Sequence, residues 1–96
     1  MRIHPTAIIS EKSKIDDSVE IGPFCIIEDD VEIQKGTKLL SHVVLRGPTF
    51  IGEENIFYQF STIGEDTPDK KFKGEKTELE IGNRNIFREG VTVHRG

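Results

Sequence analysis

The sequence predicts an all-β solenoid. Three observations carry that prediction: a large apolar residue at every sixth position, a small or β-branched residue two places before each one, and turn formers between hexads. The sixth-position series runs Ile3, Ile9, Ile15, Ile21, Ile27, Ile33, Leu39, Leu45, Ile51, Phe57 and Ile63 without a failure. At this chain's content of Ile, Leu and Phe, such a run arises by chance on the order of once in ten million, so the period is real. A six-residue step turns an α-helix through about 600° and scatters these residues over three sides. In an extended chain an even step keeps them on one face, yet one strand of this length lies far outside the usual range. The chain must therefore bend between hexads, which makes a polygonal coil of short strands stacked turn on turn.

Strand alternation puts the residue two before each anchor inside as well. Those residues are Ala7, Ser13, Val19, Cys25, Val31, Thr37, Val43, Thr49, Asn55 and Ser61, all small enough for a narrow lumen. The residue between points outward and is often charged, as at Lys14, Glu20, Glu32 and Lys38. Turn formers follow the anchors: Asp16-Asp17, Gly22-Pro23, Asp29-Asp30, Gly47-Pro48, Gly52 and Gly64.

The next two sixth positions after Ile63 are Asp69 and Glu75, which cannot sit unpaired in an apolar column. The series resumes at Ile81, Phe87 and Val93, and IGEENIF (51–57) recurs as IGNRNIF (81–87). With three hexads to a coil, that offset is one coil plus an insertion of about a dozen residues. The insertion, DTPDKKFKGEKT at 66–77, is too charged to pack and is expected to project as a loop. Restoring the register sorts the outward residues into three faces. The first carries Ile8, Ile26, Val44, Thr62 and Thr92, flanked by Phe24, His42, Tyr58 and Phe60; the second Lys14, Glu32, Phe50 and Glu80; the third Glu20, Lys38, Ile56 and Ile86. Only the first is apolar along most of its length, so self-association through it is expected.

With 96 residues the chain is one domain, and its 34% hydrophobic content is thin for a globular core but sufficient for stacked coils. The net charge of −4 argues against nucleic acid or an anionic membrane as the main partner. No apolar run approaches a membrane span, and MRIHPTAI has no signal-peptide pattern, so a cytoplasmic protein is expected. Cys25 is the only cysteine and falls on an inward position, as a small buried hydrophobe rather than a reactive thiolate. His4, His42 and His94 show no metal-ligand spacing, and no metal site is expected. The last hexad stops at Val93-His94-Arg95-Gly96 without a capping element, which is read as the start of a longer, truncated solenoid.

The hexads, with IHPTAIISEKSKI, IGPFCIIEDDVEI, LLSHVVL, YQFSTIGE, DKKFKGEKTELEIG and NIFREGVTVHRG in order, resemble the N-terminal part of one family of hexapeptide-repeat acyltransferases. This is the acyl-[acyl-carrier-protein]:UDP-N-acetylglucosamine O-acyltransferase family of lipid A biosynthesis. The resemblance implies a left-handed parallel β-helix of about five coils, an exception to right-handed crossovers that periodicity alone does not show. It implies a homotrimer with clefts between subunits, acyl carrier protein and UDP-N-acetylglucosamine as substrates, and no cofactor or metal. The family's general base is a histidine on a coil beyond Gly96, so no catalytic residue is assigned within the chain and the 96 residues are expected to be inactive alone. Substrate-contacting residues of the family fall on Asp69 and Lys71, and a cleft-lining histidine on His94. Without the resemblance, Asp69 and Lys71 read as a solvated charged loop and His94, just after the anchor Val93, as surface at a turn. Two other functions fit the hexads: a noncatalytic trimerising scaffold, and a related hexapeptide enzyme acting on another sugar nucleotide.

Overall fold

In the computed structural model, residues 1–65 and 78–95 are described. Among them the strands run, in chain order, β1 (Arg2–Ile3), β2 (Ile8–Ile9), β3 (Lys14–Ile15), β4 (Glu20–Ile21), β5 (Ile26–Ile27), β6 (Val31–Ile33), β7 (Lys38–Leu39), β8 (Val44–Leu45), β9 (Thr49–Ile51), β10 (Ile56–Phe57), β11 (Thr62–Glu65), β12 (Leu79–Ile81), β13 (Ile86–Phe87) and β14 (Thr92–His94). Every third strand joins the same sheet, giving β1-β4-β7-β10-β13, β2-β5-β8-β11-β14 and β3-β6-β9-β12, all parallel. A strand of two or three residues is too short to stand alone. Its amides bond instead to the coil above, as in Ile26 N–H to the Val43 carbonyl at 2.9 Å and Val44 N–H to that of Ser61 at 3.1 Å.

The three outward columns are those expected. Ile8, Ile26, Val44, Thr62 and Thr92 are successive Cα partners on one face, Lys14, Glu32, Phe50 and Glu80 on the second, and Glu20, Lys38, Ile56 and Ile86 on the third. Partners lie 18 residues apart until Ile56 pairs Ile86. The segment 66–77, expected as the inserted loop, lies outside the described residues.

The lumen holds Ile21, Ile27, Ile33, Leu39, Leu45, Ile51, Phe57, Ile63 and Ile81, together with the small column Val19, Cys25, Val31, Thr37, Val43, Thr49, Asn55 and Ser61. Phe57 and Phe87 stack with centroids 4.6 Å apart and planes within 5°. One sequence expectation needs correcting. Ile3 is 43% exposed, and Ile9 and Ile15 are half-buried, because the first coil has a neighbour on only one side.

A second six-residue period runs through the corners. Phe24, Asp30, Gly36, His42, Glu54, Phe60, Arg84 and Gly90 all have φ between 55° and 76°, each one residue before a small inward side chain. Pro48 occupies the same place, where its ring excludes a left-handed φ. Left-handed backbone costs a non-glycine residue about 1–2 kcal/mol. The stacked coils enforce it by bonding corner to corner, as in His42 N–H to the Pro23 carbonyl at 3.0 Å and Phe60 N–H to that of His42 at 3.1 Å.

Candidate functional site at the edges of the apolar face

The face built by β2, β5, β8, β11 and β14 is bounded by two edges of opposite chemistry. Its floor is apolar: Ile8 is 66% exposed and Ile26 37%. Along the edge that precedes these strands, the left-handed corners turn Phe24, His42 and Phe60 outward in a stack, with successive ring centroids 5.0 Å apart. Tilted rings at this separation contribute roughly 0.5–1.5 kcal/mol per pair, enough to offset part of the corner strain. Below them, Thr6 Oγ1 accepts the Phe24 amide at 2.9 Å. Nearby in sequence, the Arg88 guanidinium lies 4.1 Å over the Tyr58 ring.

The opposite edge is charged. Arg46 follows β8 and reaches Glu28 one coil below at 3.1 Å and Glu65 one coil above at 2.9 Å. The hydrogen bond that Arg46 donates to Glu65, then the charges of Glu28 and Glu65, hold the Arg46 guanidinium above its ordinary value. Beneath this group, Ile8, Ile26, Glu28, Asp29 and Arg46 line a shallow groove of about 410 Å³, where Ser10 Oγ donates to Asp29. A larger concavity of about 790 Å³ is lined by residues of the first three coils, Met1, Ile3, Leu39 and Leu40 among them, and does not include His94.

At the top of the charged edge β11 carries a bulge. Thr62 pairs Thr92 and Ile63 pairs Val93, but Glu65 rather than Gly64 pairs His94. Gly64 sits at φ 87°, and a Cβ there would lie 2.0 Å from the Arg46 carbonyl oxygen, so only glycine fits. Arg95 locks the bulge from above: its amide donates to the Glu65 carbonyl and its Nε to the Gly64 carbonyl, both at 2.8 Å.

Of the residues expected at the site, His94 is exposed and ends β14; it belongs to the strand rather than to a turn, because the bulge extends the pairing by one residue. Asp69 and Lys71 lie outside the described residues. Sequence reasoning missed Arg46 and Glu65, although the 18-residue spacing of Glu28 and Arg46 already placed opposite charges one coil apart. Among the described residues no group of three or more His, Cys, Asp or Glu could hold a metal, and no helix is long and apolar enough to cross a membrane. Cys25 is fully buried, and desolvation pushes its thiol up from the ordinary 9.0.

No protein-family model matches the chain. An acyl-[acyl-carrier-protein]–UDP-N-acetylglucosamine O-acyltransferase of Saccharophagus degradans is 57% identical over 94 residues, which cover 98% of this chain and 36% of that protein. Its counterpart from a Psychrobacter species is 52% identical over 95 residues, 99% of this chain and 37% of the relative. The crystal structure of UDP-N-acetylglucosamine O-acyltransferase from Moraxella catarrhalis matches with a TM-score of 0.97 at 50% identity, over 100% of this chain and 37% of that one. The chain thus spans little more than a third of the length of these relatives. In sequence, and in its left-handed parallel β-helix, it belongs with the N-terminal part of the acyl-[acyl-carrier-protein]:UDP-N-acetylglucosamine O-acyltransferases.

Proposed function

We propose that this chain is the N-terminal part of an enzyme that moves a 3-hydroxyacyl group from acyl carrier protein to the 3-hydroxyl of UDP-N-acetylglucosamine, the first step of lipid A biosynthesis. The observation that carries this reading is the joint match of sequence and fold, 57% identity to one relative and a TM-score of 0.97 to a solved structure, each over nearly every residue. In the reaction the sugar hydroxyl attacks the thioester carbonyl; the new C–O bond forms, the C–S bond breaks, and the hydroxyl proton passes to a general base. We assign that base to a histidine beyond Gly96, following the family resemblance, so the 96 residues alone do not turn over. Asp69 accepts hydrogen bonds from the sugar or pantetheine, Lys71 pairs with phosphate or orients a carbonyl, and His94 lines the cleft. The enzyme works in the cytoplasm as a homotrimer closed through the Ile8, Ile26 and Val44 face. The apolar floor and its aromatic edge support that choice over the other two faces, which carry charges on most coils.

The test is a chimera in which this chain replaces the corresponding N-terminal part of the Saccharophagus degradans relative. Transfer from 3-hydroxyacyl carrier protein to UDP-N-acetylglucosamine is expected in the chimera and absent in the chain alone. Asp69→Ala or Lys71→Ala in the chimera lowers kcat/KM about tenfold or more, roughly 1.4 kcal/mol of transition-state stabilisation. A folded, trimeric chimera without transfer refutes the enzymatic reading and favours a scaffold. Turnover by the 96 residues alone refutes the placement of the base.

A further inference from the structure

The bulge in β11 leaves one carbonyl without a place in the ladder. In a regular parallel pair the amide that follows a residue bonds the carbonyl of that residue's Cα partner, as the Arg46 amide, following Leu45, bonds the carbonyl of Ile63 at 2.8 Å. With Gly64 opposite His94, the Arg95 amide would therefore go to the Gly64 carbonyl. Glu65 stands there instead, and the Arg95 amide donates to the Glu65 carbonyl at 2.8 Å. Gly64 is buried, so its carbonyl needs another partner from the protein. The Arg95 side chain supplies it, with Nε donating to the Gly64 carbonyl at 2.8 Å. One residue thus grips two successive carbonyls of the coil below, the first through its side chain and the second through its main chain.

This grip falls on the residue directly after His94. On the other side, Ile63 pairs Val93 and the Thr62 amide donates to the Val91 carbonyl at 2.9 Å. The His94 backbone is held from both directions while its side chain is exposed. We propose that Arg95 is a positioning residue for His94: by holding the bulged register through Gly64 and Glu65, it fixes the place and direction from which the imidazole leaves the strand. The consequence for transfer rests on the reading of His94 as a cleft residue, but the clamp itself does not.

The first measurement is on the chain itself, labelled with 15N and 13C. A scalar coupling across the hydrogen bond from Arg95 Nε to the Gly64 carbonyl carbon is expected; its absence overturns the proposal, even should Arg95 variants fail to fold. Methionine keeps the apolar stem of Arg95 and has no N–H donor. In Arg95→Met the amide of residue 95 is expected to exchange about tenfold faster or more. The His94 backbone gains amplitude in nitrogen relaxation, and the Ile26 and Val44 amides exchange as before. If either the exchange at 95 or the relaxation at His94 is unchanged, the proposal is overturned.

The second measurement is a double-mutant cycle in the chimera. His94→Ala and Arg95→Met are each expected to lower kcat/KM about tenfold, and the pair together about tenfold rather than about a hundredfold. A residue acting through His94 has nothing left to position once the imidazole is gone. Losses that multiply, or no loss in Arg95→Met, overturn the proposal. A chimera that transfers no acyl group sinks the enzymatic reading alone, and the coupling and exchange data then decide the clamp. Absent coupling in an active chimera sinks the clamp alone.

Discussion

Asn55 and Asn85 lie one above the other at a corner of the lumen, and the Asn85 amide donates to Asn55 Oδ1 at 2.8 Å. Asn55 Nδ2 donates to the Gly82 carbonyl at 2.8 Å, and below it the Asn55 amide donates to Thr37 Oγ1 at 3.2 Å. Thr37 Oγ1 donates onward to the Gly52 carbonyl at 3.0 Å. This polar string bridges the long offset between coils, where no aliphatic side chain could satisfy the corner amide of the next turn. Asn55→Ala removes two partners at once. Expected is a loss of about 1–3 kcal/mol in urea denaturation, with Thr37→Val, which likewise strands two groups, the Asn55 amide and the Gly52 carbonyl, costing a similar amount.

Glycine is required at 64 for space as well as conformation. Gly64→Ala places a methyl 2.0 Å from a backbone oxygen that cannot yield, at φ 87°, and is expected to cost about 3 kcal/mol or more. Gly90→Ala is the control: φ is 72°, but nothing lies within 4 Å, so only the left-handed penalty of about 1 kcal/mol applies. Equal costs in thermal unfolding would contradict the account of the bulge.

Cys25 gives a pH signature. Burial raises its thiol, so above the ordinary value of 9.0 the unfolded chain has lost a proton that the folded chain still holds. Stability therefore falls as pH rises past that value. The difference between the unaltered chain and Cys25→Ala, measured by denaturation from neutral to alkaline pH, is expected to narrow in that range. A constant difference contradicts the shift.

The proposed assembly is tested at the apolar face. Ile26→Lys with Val44→Lys is expected to convert the proposed trimer to monomer in sedimentation. Glu32→Lys with Phe50→Lys, on the second face, is expected to leave it intact. An unchanged mass in the first variant places the interface elsewhere.

The lumen was legible because burial imposes its period directly: Ile21 to Ile63 stand at every sixth place and are enclosed. Ile3 misled because its position in the repeat says nothing of the coil beneath it. The left-handed corners were not legible. Phe24, Phe60, Glu54 and Arg84 carry no local preference for that backbone, which the stacking of coils imposes on them. As proposed site residues, Asp69, Lys71 and His94 emerged only from the resemblance, since their residue types suit a solvated surface equally well. The Arg46–Glu65 ion pair depends on a one-residue bulge that breaks the 18-residue step, and such an irregularity has no periodic signal, whereas Glu28 and Arg46 keep the step and were legible from it.

The account depends above all on coils that repeat every 18 residues around a filled lumen. Side-chain NOEs among Ile21, Leu39 and Phe57, together with amide contacts linking Ile26 to Val44 and Val44 to Thr62, test it most directly. The account predicts all of these, with the pairing stepping by 30 between Ile56 and Ile86. Contacts confined to residues three or four apart, or Ile21 and Leu39 signals sensitive to a soluble paramagnetic probe, would contradict it.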